Sequence, residues 1–506
     1  MFDIDWQLVA QEFLYDPKSP MIFSTGVFLV LFLVFSAIYY GLSRRDTLRI
    51  FFVTLFSYYF YYKSSGFYFV LLAIVTCGDF LLAQAIHRQH ERRHSVKADG
   101  TLRHTAFQRF LLIESIALDL GLLAYFKYTN FFGQIIASFT GAHFDLLDIF
   151  LPVGISFFTF QSLSYTIDVY RGQLKPVNRL LDYAFYVSFF PQLVAGPIVR
   201  ARDFIPQIRR PLTVTSEMFG TGVYFIVAGL VKKAIISDFI SVNFVERVFD
   251  QPSLYSGFEN LMAVYGYTLQ IYCDFSGYSD MAIGLALLLG FKFPLNFNFP
   301  YKSFDLTDFW RRWHISLSSW IRDYVYISMG GNRKGKVRQY VNLIVTMLLC
   351  GLWHGASLNF ILWGGIHGLG LMFDKIKYRV LGWEKGHKPR GLARAVSVFI
   401  TFHFVAAAWV LFRCQTFEEV GEIFTQIFTS FQPQIWSQWM YSYMGAFALM
   451  VMGYVLHFLP QRWNDAPKHL MQRMPLWLQA LVVIVVIFLV FQIKTSDVQP
   501  FIYFQF

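Results

Sequence analysis

Long apolar runs recur along the chain and are separated by short polar segments. They include "MIFSTGVFLVLFLVFSAIYYGL" (21–42), "FLLIESIALDLGLLAYF" (110–126), "VSVFITFHFVAAAWVLF" (396–412) and "LWLQALVVIVVIFLVF" (476–491). Stretches of about 20 apolar residues match the thickness of a bilayer core when they are helical. The pattern therefore predicts an all-α polytopic membrane protein with about 11 to 13 helical segments.

The amino-acid composition is typical of a membrane protein and differs from that of a soluble globular protein. Hydrophobic residues make up 56% of the 506 residues and charged residues only 15%, whereas soluble domains carry about 25% charged residues. In a membrane protein, a net charge of +11 usually comes from basic cytoplasmic loops. The sequence has no basic stripe that would indicate a nucleic-acid partner. The four cysteines are isolated, so we expect neither a disulfide nor a metal site.

The distribution of basic residues predicts which side of the membrane each loop faces. Basic segments at 44–49 and 87–104 flank a predicted helical hairpin over 50–86, so both should face the cytoplasm. The basic segment 459–475, which precedes the last predicted helix, should face the cytoplasm as well. These assignments place the acidic N-terminus and the C-terminus outside the cytoplasm.

The middle of the chain, from about 150 to 360, interrupts its apolar runs with proline, glycine and charged residues. Non-helical or charged backbone at membrane depth is tolerated where it is buried in protein or lines a wet cavity. We therefore expect this region to line a funnel or tunnel.

One histidine stands in a strongly apolar segment, "LLCGLWHGASLNFILWGGIHG", which contains His354. The small residues beside it, among them Gly351 and Gly355, predict room for a substrate at the imidazole. A neutral imidazole is the usual general base near neutral pH. The alternative is a core histidine bonded to a carbonyl, and that interpretation is kept for His367, His403 and His457.

A second histidine, His314, lies in "DFWRRWHISLSSWIRDYVY". The aromatic spacing predicts one amphipathic helix at an interface or tilted into a cavity. Arg311 and Arg312 are candidates for binding the phosphates of an acyl donor, with interfacial snorkelling as the alternative. Trp353, next to His354, is a further donor-binding candidate.

Two carboxylates occur in "CDFSGYSDMA", where Asp274 and Asp280 are six residues apart, near a predicted helix start. Carboxylates at membrane depth usually mark a site or an ion pair. We interpret this pair as structural residues, or as residues lining the tunnel.

At these residues a family resemblance becomes specific. "DFWRRWHISLSSWIRDYVYISMGGNRKGK" and "GLWHGASLNFILWGGIHG" resemble the membrane-bound O-acyltransferase (MBOAT) family. The bacterial branch of the alginate O-acetyltransferase membrane subunit and of the teichoic acid D-alanyl transfer membrane protein is the most similar. "PVGISFFTFQSLSYTIDVYRG", "FFPQLVAGPIVR" and "QIYCDFSGYSDMAIGLALLLGF" resemble that branch too.

The resemblance implies a single MBOAT membrane domain over residues 1–506, with core motifs at about 150–375 and helices ringed around a central funnel. It implies that His354 is catalytic and that His314 is the second family histidine. It implies no bound cofactor, because the donor is a substrate, either an acyl-CoA such as acetyl-CoA or an acyl-carrier thioester. The acyl group would pass to a hydroxyl on the far side of the membrane.

The chain ends on "FIYFQF", and its aromatic tail, 494–506, is predicted to be extracytoplasmic. The tail resembles that of a small partner protein in related systems, whose tyrosine relays the acyl group, so Tyr503 is a candidate relay. An extended chain from residue 494 to 503 reaches about 30 Å at most, about twice the half-thickness of the bilayer core. Burial of the phenylalanines would anchor the tail. The alternative is an interfacial aromatic anchor.

These observations predict a membrane O-acyltransferase of a bacterial cell (inner) membrane, surrounded by lipid, that serves an extracytoplasmic polysaccharide. The family resemblance also implies a separate SGNH-type acyltransferase as a partner. Two alternatives remain open. One is D-alanyl transfer from a carrier protein, and the other is a non-catalytic polysaccharide transporter or channel.

Overall fold

Helices dominate the computed structural model, which describes residues 11–17, 20–93, 104–384, 386–493 and 501. No strand occurs among these residues, which confirms the all-α prediction. The first ten residues, the basic stretch 94–103 and Tyr503 lie outside the described residues.

The chain forms two compact units, and the first comprises residues 1–215 with 285–294. Its helices are Gly26–Gly41, Asp46–Ser65, Phe69–Arg93, Ala106–Thr140, Ile155–Tyr170, Leu180–Ser188, Phe190–Leu193 and Ala201–Ile208, with a turn of 3-10 helix at Gly66–Tyr68. The predicted hairpin over 50–86 is thus helical on both sides of Gly66. This glycine has a φ of 62°, a conformation that glycine adopts without strain.

A buried polar cluster lies in the core of this first unit. The hydroxyl of Ser115 donates to Asp79 at 2.6 Å, and that of Thr166 at 3.4 Å. Asp119 lies on the same helix as Ser115, and the side chains of Asp79 and Asp119 are both fully buried.

The second unit comprises residues 216–284 with 295–506. It contains nearly continuous helical structure from Ser216 to Asp250, with π-helical turns at Val231–Ser237 and Ser241–Val245, and most of helix Gly257–Leu288. Its later helices are Leu306–Phe309, Ile315–Ile321, Lys336–His354, Leu358–Val380, Gly391–Arg413, Phe417–Thr429, Trp436–Ser442, Met444–Phe458, Gln461–Arg473 and Leu476–Ile493. Short 3-10 turns lie at Pro252–Leu254, Pro300–Lys302 and Pro433–Ile435, and a π-helical turn lies at Arg322–Tyr326. The assignment of residues 1–506 to a single membrane domain stays a prediction.

Two consecutive lysines of the first π-helical turn join the helices of this unit. Lys233 pairs with Asp274 at 2.5 Å and Lys232 pairs with Asp280 at 2.6 Å. The expectation that these carboxylates lie near a helix start is wrong, because helix Gly257–Leu288 continues through both. Gly277 lies within this helix, and its lack of a side chain permits the close backbone approach of Gly229.

Three helical stretches among the described residues are long and apolar enough to cross a membrane: Asp46–Glu91, Gly391–Arg413 and Leu476–Ile493. A fourth is the pair Pro433–Ser442 and Met444–Phe458 if it forms one span, although the two are bent by 101°. The predicted run at 110–126 lies within helix Ala106–Thr140, which is not among these stretches. Glu114, Asp119 and Lys127 lower its apolar character.

Candidate functional site

The segment around His314 is broken, and this corrects the prediction of one amphipathic helix. A short helix ends at Phe309, and the next begins at Ile315. His314 precedes it with a φ of 42°, in the left-handed region that few non-glycine residues adopt. Such strain persists only where the surroundings hold the backbone in place.

Asn296 provides that restraint from a loop 18 residues earlier. Its backbone carbonyl accepts the Ile315 N–H at 2.8 Å. Its side-chain oxygen accepts the Ser316 N–H at 3.2 Å and the Ser316 hydroxyl at 2.8 Å. The amide nitrogen donates to Ser279 at 3.0 Å. These bonds capture the backbone on the C-terminal side of His314.

The same amide determines the tautomer of His314. Nδ1 of the imidazole lies 3.2 Å from Oδ1 of Asn296. That atom must be an oxygen, because it also receives a backbone N–H, which can only donate. Nδ1 of a neutral His314 therefore carries the proton, and Nε2 carries the lone pair.

Trp353 brings the two predicted histidines into one aromatic cluster. Its ring centroid lies 6.2 Å from that of His314 and 4.9 Å from that of His354. Both histidines are buried, with His314 0% and His354 2% exposed. The cluster thus holds two imidazoles on one indole, away from bulk solvent.

His354 is the last residue of helix Lys336–His354. The chain becomes extended at Gly355, and the hydroxyl of Ser357 caps the next helix by accepting the Asn359 N–H at 3.2 Å. The rings of Trp363 and Phe412 lie 5.1 and 5.2 Å from the imidazole. His354 is therefore placed at a helix junction, and aromatic rings from two other parts of the unit pack against it.

The small residues beside His354 serve packing, so the expectation that they leave room for substrate is wrong for two of them. A Cβ at Gly351 would lie 2.1 Å from the carbonyl oxygen of Phe360, and one at Gly355 would lie 2.1 Å from its ring. Phe360 thus occupies the space next to both glycines. The glycines let helices Lys336–His354 and Leu358–Val380 approach closely, as small residues do in membrane helix pairs.

The described part of the C-terminal tail reaches the same cluster. Phe501 is fully buried, and its ring lies 5.0 Å from that of Tyr278 and 5.5 Å from that of Phe275. Phe275 in turn packs edge-on against His314 at 4.5 Å. The prediction that tail phenylalanines anchor by burial is confirmed for Phe501.

The two candidate arginines of the His314 segment differ in their exposure to solvent. Arg312 is half-buried, pairs with Asp308 at 3.0 Å and donates to the carbonyl of Asn298. Arg311 is exposed. Their assignment to donor phosphates, like that of Trp353 to the donor, stays a prediction.

Of the three histidines interpreted as core residues bonded to a carbonyl, only His403 has a carbonyl partner among the described residues, and both ring nitrogens of His367 are buried without a hydrogen-bond partner. His403 lies 2.8 Å from the carbonyl oxygen of Phe399 and 2.9 Å from the hydroxyl of Tyr265. His457 accepts the N–H of Tyr301 at 3.1 Å. His367 is fully buried against Trp363, with ring centroids 4.8 Å apart.

Sequence reasoning missed Asn296 and Phe275, although both contact His314. Asn296 lies in "FPLNFNFP", where the two prolines bound a non-helical segment. An asparagine in such a segment next to apolar runs is the signal that was available, although Asn298 carries the same signal. Phe275 gives no such signal, because phenylalanine occurs throughout the chain.

Comparison with known proteins identifies a matching family profile and several similar proteins. Residues 173–382 match the profile of the MBOAT, membrane-bound O-acyltransferase family. A Pseudomonas aeruginosa protein named "Probable alginate O-acetylase AlgI" is 41% identical over 414 residues, covering 81% of this chain and 75% of the relative. A Helicobacter pylori peptidoglycan O-acetyltransferase is 37% identical, covering 63% and 64% of the two chains. A Bacillus subtilis teichoic acid D-alanyltransferase is 32% identical, covering 52% and 69%.

Proposed function

The chain belongs to the membrane-bound O-acyltransferase family, and we propose that it transfers acetyl groups from cytoplasmic acetyl-CoA to an extracytoplasmic polysaccharide. It is a multi-pass membrane O-acyltransferase, and we place it in the bacterial inner membrane with both termini outside the cytoplasm. Two of its relatives are named for O-acetylation of alginate and of peptidoglycan, both of which contain sugar chains. This favours an acetyl group and a glycan acceptor, and it favours an enzyme over a transporter.

The observation that carries the proposal is the aromatic cluster on Trp353. It unites His314, His354 and, through Phe275, the tail residue Phe501. Tyr503 follows Phe501 by two residues, which span at most about 7 Å of extended chain, and the proposal brings its phenol from there to the cluster.

In the proposed reaction His354 acts as the general base. It takes the proton of the Tyr503 hydroxyl while that oxygen attacks the thioester carbonyl, the C–S bond breaks, and the proton passes to the departing CoA sulfur. A thiol has a reference pKa of about 8.5 and a phenol about 10, so the tyrosyl ester stays activated. The serine hydroxyl of a separate SGNH-type enzyme then attacks the ester, its proton returns to the tyrosine oxygen, and the acyl group passes from that serine to a sugar hydroxyl.

Other residues have supporting roles in this proposal. His314 orients the substrate through the tautomer that Asn296 selects. Arg311, Arg312 and Trp353 bind the donor, and Asp274 and Asp280 hold the helices through their lysine partners. A separate SGNH-type enzyme completes delivery to the polymer through its serine.

We predict that His354→Ala abolishes acyl transfer while the protein stays folded in the membrane. Loss of a general base costs about 10²–10⁴-fold in rate. Transfer from radiolabelled acetyl-CoA to polysaccharide measures the effect, and thermal unfolding verifies the fold. His403→Ala is the matched control, because that histidine contacts Phe399 and Tyr265 instead of the cluster. Unchanged transfer in His354→Ala would refute the assigned role.

We predict an acetyl adduct of about 42 Da on Tyr503 during turnover, in line with covalent catalysis by an activated nucleophile. Mass spectrometry of the quenched protein should find it in the wild type and not in Tyr503→Phe. Full activity of Tyr503→Phe would leave the tail as an anchor only.

D-alanyl transfer is the second candidate, because relatives with that name share about half of this chain. It predicts a carrier-protein thioester as the donor and no incorporation from acetyl-CoA. Incubation with each labelled donor separates the two.

A further inference from the structure

A cavity of about 650 Å³ lies in the second unit, away from the two histidines of the candidate site. Its lining includes the amides of Gln426, Gln432 and Gln438, the phenols of Tyr255 and Tyr443, and the ring of Trp439. The volume is within the roughly 300–1,000 Å³ of small-molecule sites. No catalytic role proposed above uses any of these residues.

Close backbone contacts and buried aromatic rings form the wall of the cavity. The Gly257 N–H donates to the carbonyl of Ser430 at 2.9 Å, and a Cβ on Gly257 would lie 2.1 Å from the carbonyl oxygen of Gln426. Trp439 is 2% exposed and packs edge-on against Phe258 at 5.7 Å. The backbone and the buried rings therefore hold the shape of the cavity, and the lining residues Gln432 and Gln438 are exposed to solvent.

Basic residues indicate on which side of the membrane the cavity lies. Helix Gly391–Arg413 begins beside Lys388, Arg390 and Arg394, and helix Met444–Phe458 leads into the basic helix Gln461–Arg473. Cytoplasmic loops carry such residues. The cavity-lining segment 426–443 connects the opposite ends of these two helices, so it faces away from the cytoplasm, where an acceptor polymer would arrive.

The chemistry of the lining selects among possible ligands. Amides and hydroxyls both donate and accept hydrogen bonds, which matches the hydroxyl groups of sugars, and the half-buried Tyr255 and Tyr443 offer an apolar face beside a polar edge. Glu259 is the charged residue of the described lining. Arg247 does not line the cavity, and its guanidinium donates to the carbonyl of Val242.

We propose that this cavity binds a segment of the acceptor polysaccharide, and that it prefers neutral sugars to uronate units. The inference rests on the proposed function, since it names the acceptor of that reaction. A polyuronate would place its carboxylates beside Glu259 without the arginine partners that carboxylate recognition uses. The preference thus separates this chain from a strictly alginate-directed enzyme.

The test is binding of cellohexaose and of hexamannuronate to the full-length protein in nanodiscs, measured by titration calorimetry. Cellohexaose should bind about ten-fold more tightly than hexamannuronate, a difference of about 1.4 kcal/mol. The double variant Gln432→Ala/Gln438→Ala should weaken cellohexaose binding about ten-fold, since it removes two amide partners. Gln434→Ala is the matched control, because Gln434 is an exposed glutamine of the same segment that does not line the cavity.

Equal or tighter binding of hexamannuronate would overturn the preference. Wild-type affinity in the double variant, or no saturable binding of cellohexaose, would overturn the site. His354→Ala should bind cellohexaose as the wild type does while transferring nothing. If His354→Ala still transfers acyl groups, the catalytic proposal is refuted and the binding site is unaffected. If His354→Ala is inactive but the wild type does not prefer cellohexaose to hexamannuronate, only the present inference is refuted.

Discussion

At the scale of single residues, Asn296 decides which nitrogen of His314 carries the proton. Its side-chain oxygen accepts hydrogen bonds from Nδ1 of the histidine and from the backbone N–H and the hydroxyl of Ser316. A buried acceptor with three donors orients them all, and its loss leaves each donor without that partner.

We predict that Asn296→Leu lowers both stability and activity. The buried Ser316 N–H and the imidazole lose their acceptor, which costs about 1–3 kcal/mol for a buried donor left unsatisfied. Acyl transfer should fall at least ten-fold because His314 is no longer held in one tautomer. Thermal unfolding and the transfer rate measure the two effects.

Asn296→Asp is the conservative control, since a carboxylate keeps an oxygen at the Oδ1 position. It should recover most of the lost transfer rate. If both variants lose activity equally, the oxygen of Asn296 is not what positions the histidine.

At the scale of elements, helices Lys336–His354 and Leu358–Val380 approach each other closely in the second unit. Gly364 crosses the first helix at Met347, where an added Cβ would lie 2.1 Å from the carbonyl oxygen. This crossing positions His354 at the end of its helix, so the packing of the two helices is coupled to the site.

We predict that Gly364→Ala destabilises the protein by at least about 1–3 kcal/mol, because the methyl group has no space and the helices must separate. The melting temperature and the yield of folded protein measure the effect. Gly365→Ala is the matched control on the same helix, because its Cβ would meet only the tip of Leu348 at 3.3 Å. Equal effects of the two substitutions would show that the crossing does not limit stability.

Helices were predictable where hydrophobic periodicity alone determines the secondary structure. They were not predictable where a residue distant in sequence binds the backbone. The apolar run at 396–412 became helix Gly391–Arg413, as expected. "DFWRRWHISLSSW" has helical spacing too, yet Asn296 captures the backbone at Ile315 and Ser316 and breaks it. Nothing local in that segment indicates the competing bonds. Conversely, helix Gly257–Leu288 continues through Asp274 and Asp280, near which a helix start was expected.

At the scale of the whole molecule, the predictable quantities were the fold class, the family and the positions of the two histidines. His354 stood out because it is a polar residue in a long apolar motif, and His314 because its charged, aromatic-rich segment resembles a motif of the family. Their common contact with Trp353 was not predictable, because their separation of 40 residues does not determine how the intervening turns pack. The glycines beside His354 could equally have lined a cavity or a helix crossing, and only packing distinguishes these.

We predict that segment 414–443 faces away from the cytoplasm and that helix Gln461–Arg473 faces the cytoplasm, because basic loops stay on the cytoplasmic side. In a Cys77→Ser background, Glu422→Cys should react with an impermeant maleimide in spheroplasts. Arg462→Cys should react only after the membrane is permeabilised. Both positions are exposed, so accessibility reports sidedness. The reverse labelling pattern would invert the proposed orientation.

The left-handed backbone at His314 affects how substitutions there can be understood. An alanine would inherit the same unfavourable backbone angles without the imidazole's bond to Asn296, so an inactive alanine enzyme would combine a misfolded turn with a missing ring. Glycine adopts those angles without penalty. Only the glycine variant therefore removes the ring and leaves the turn relaxed, which makes it the informative deletion of this side chain.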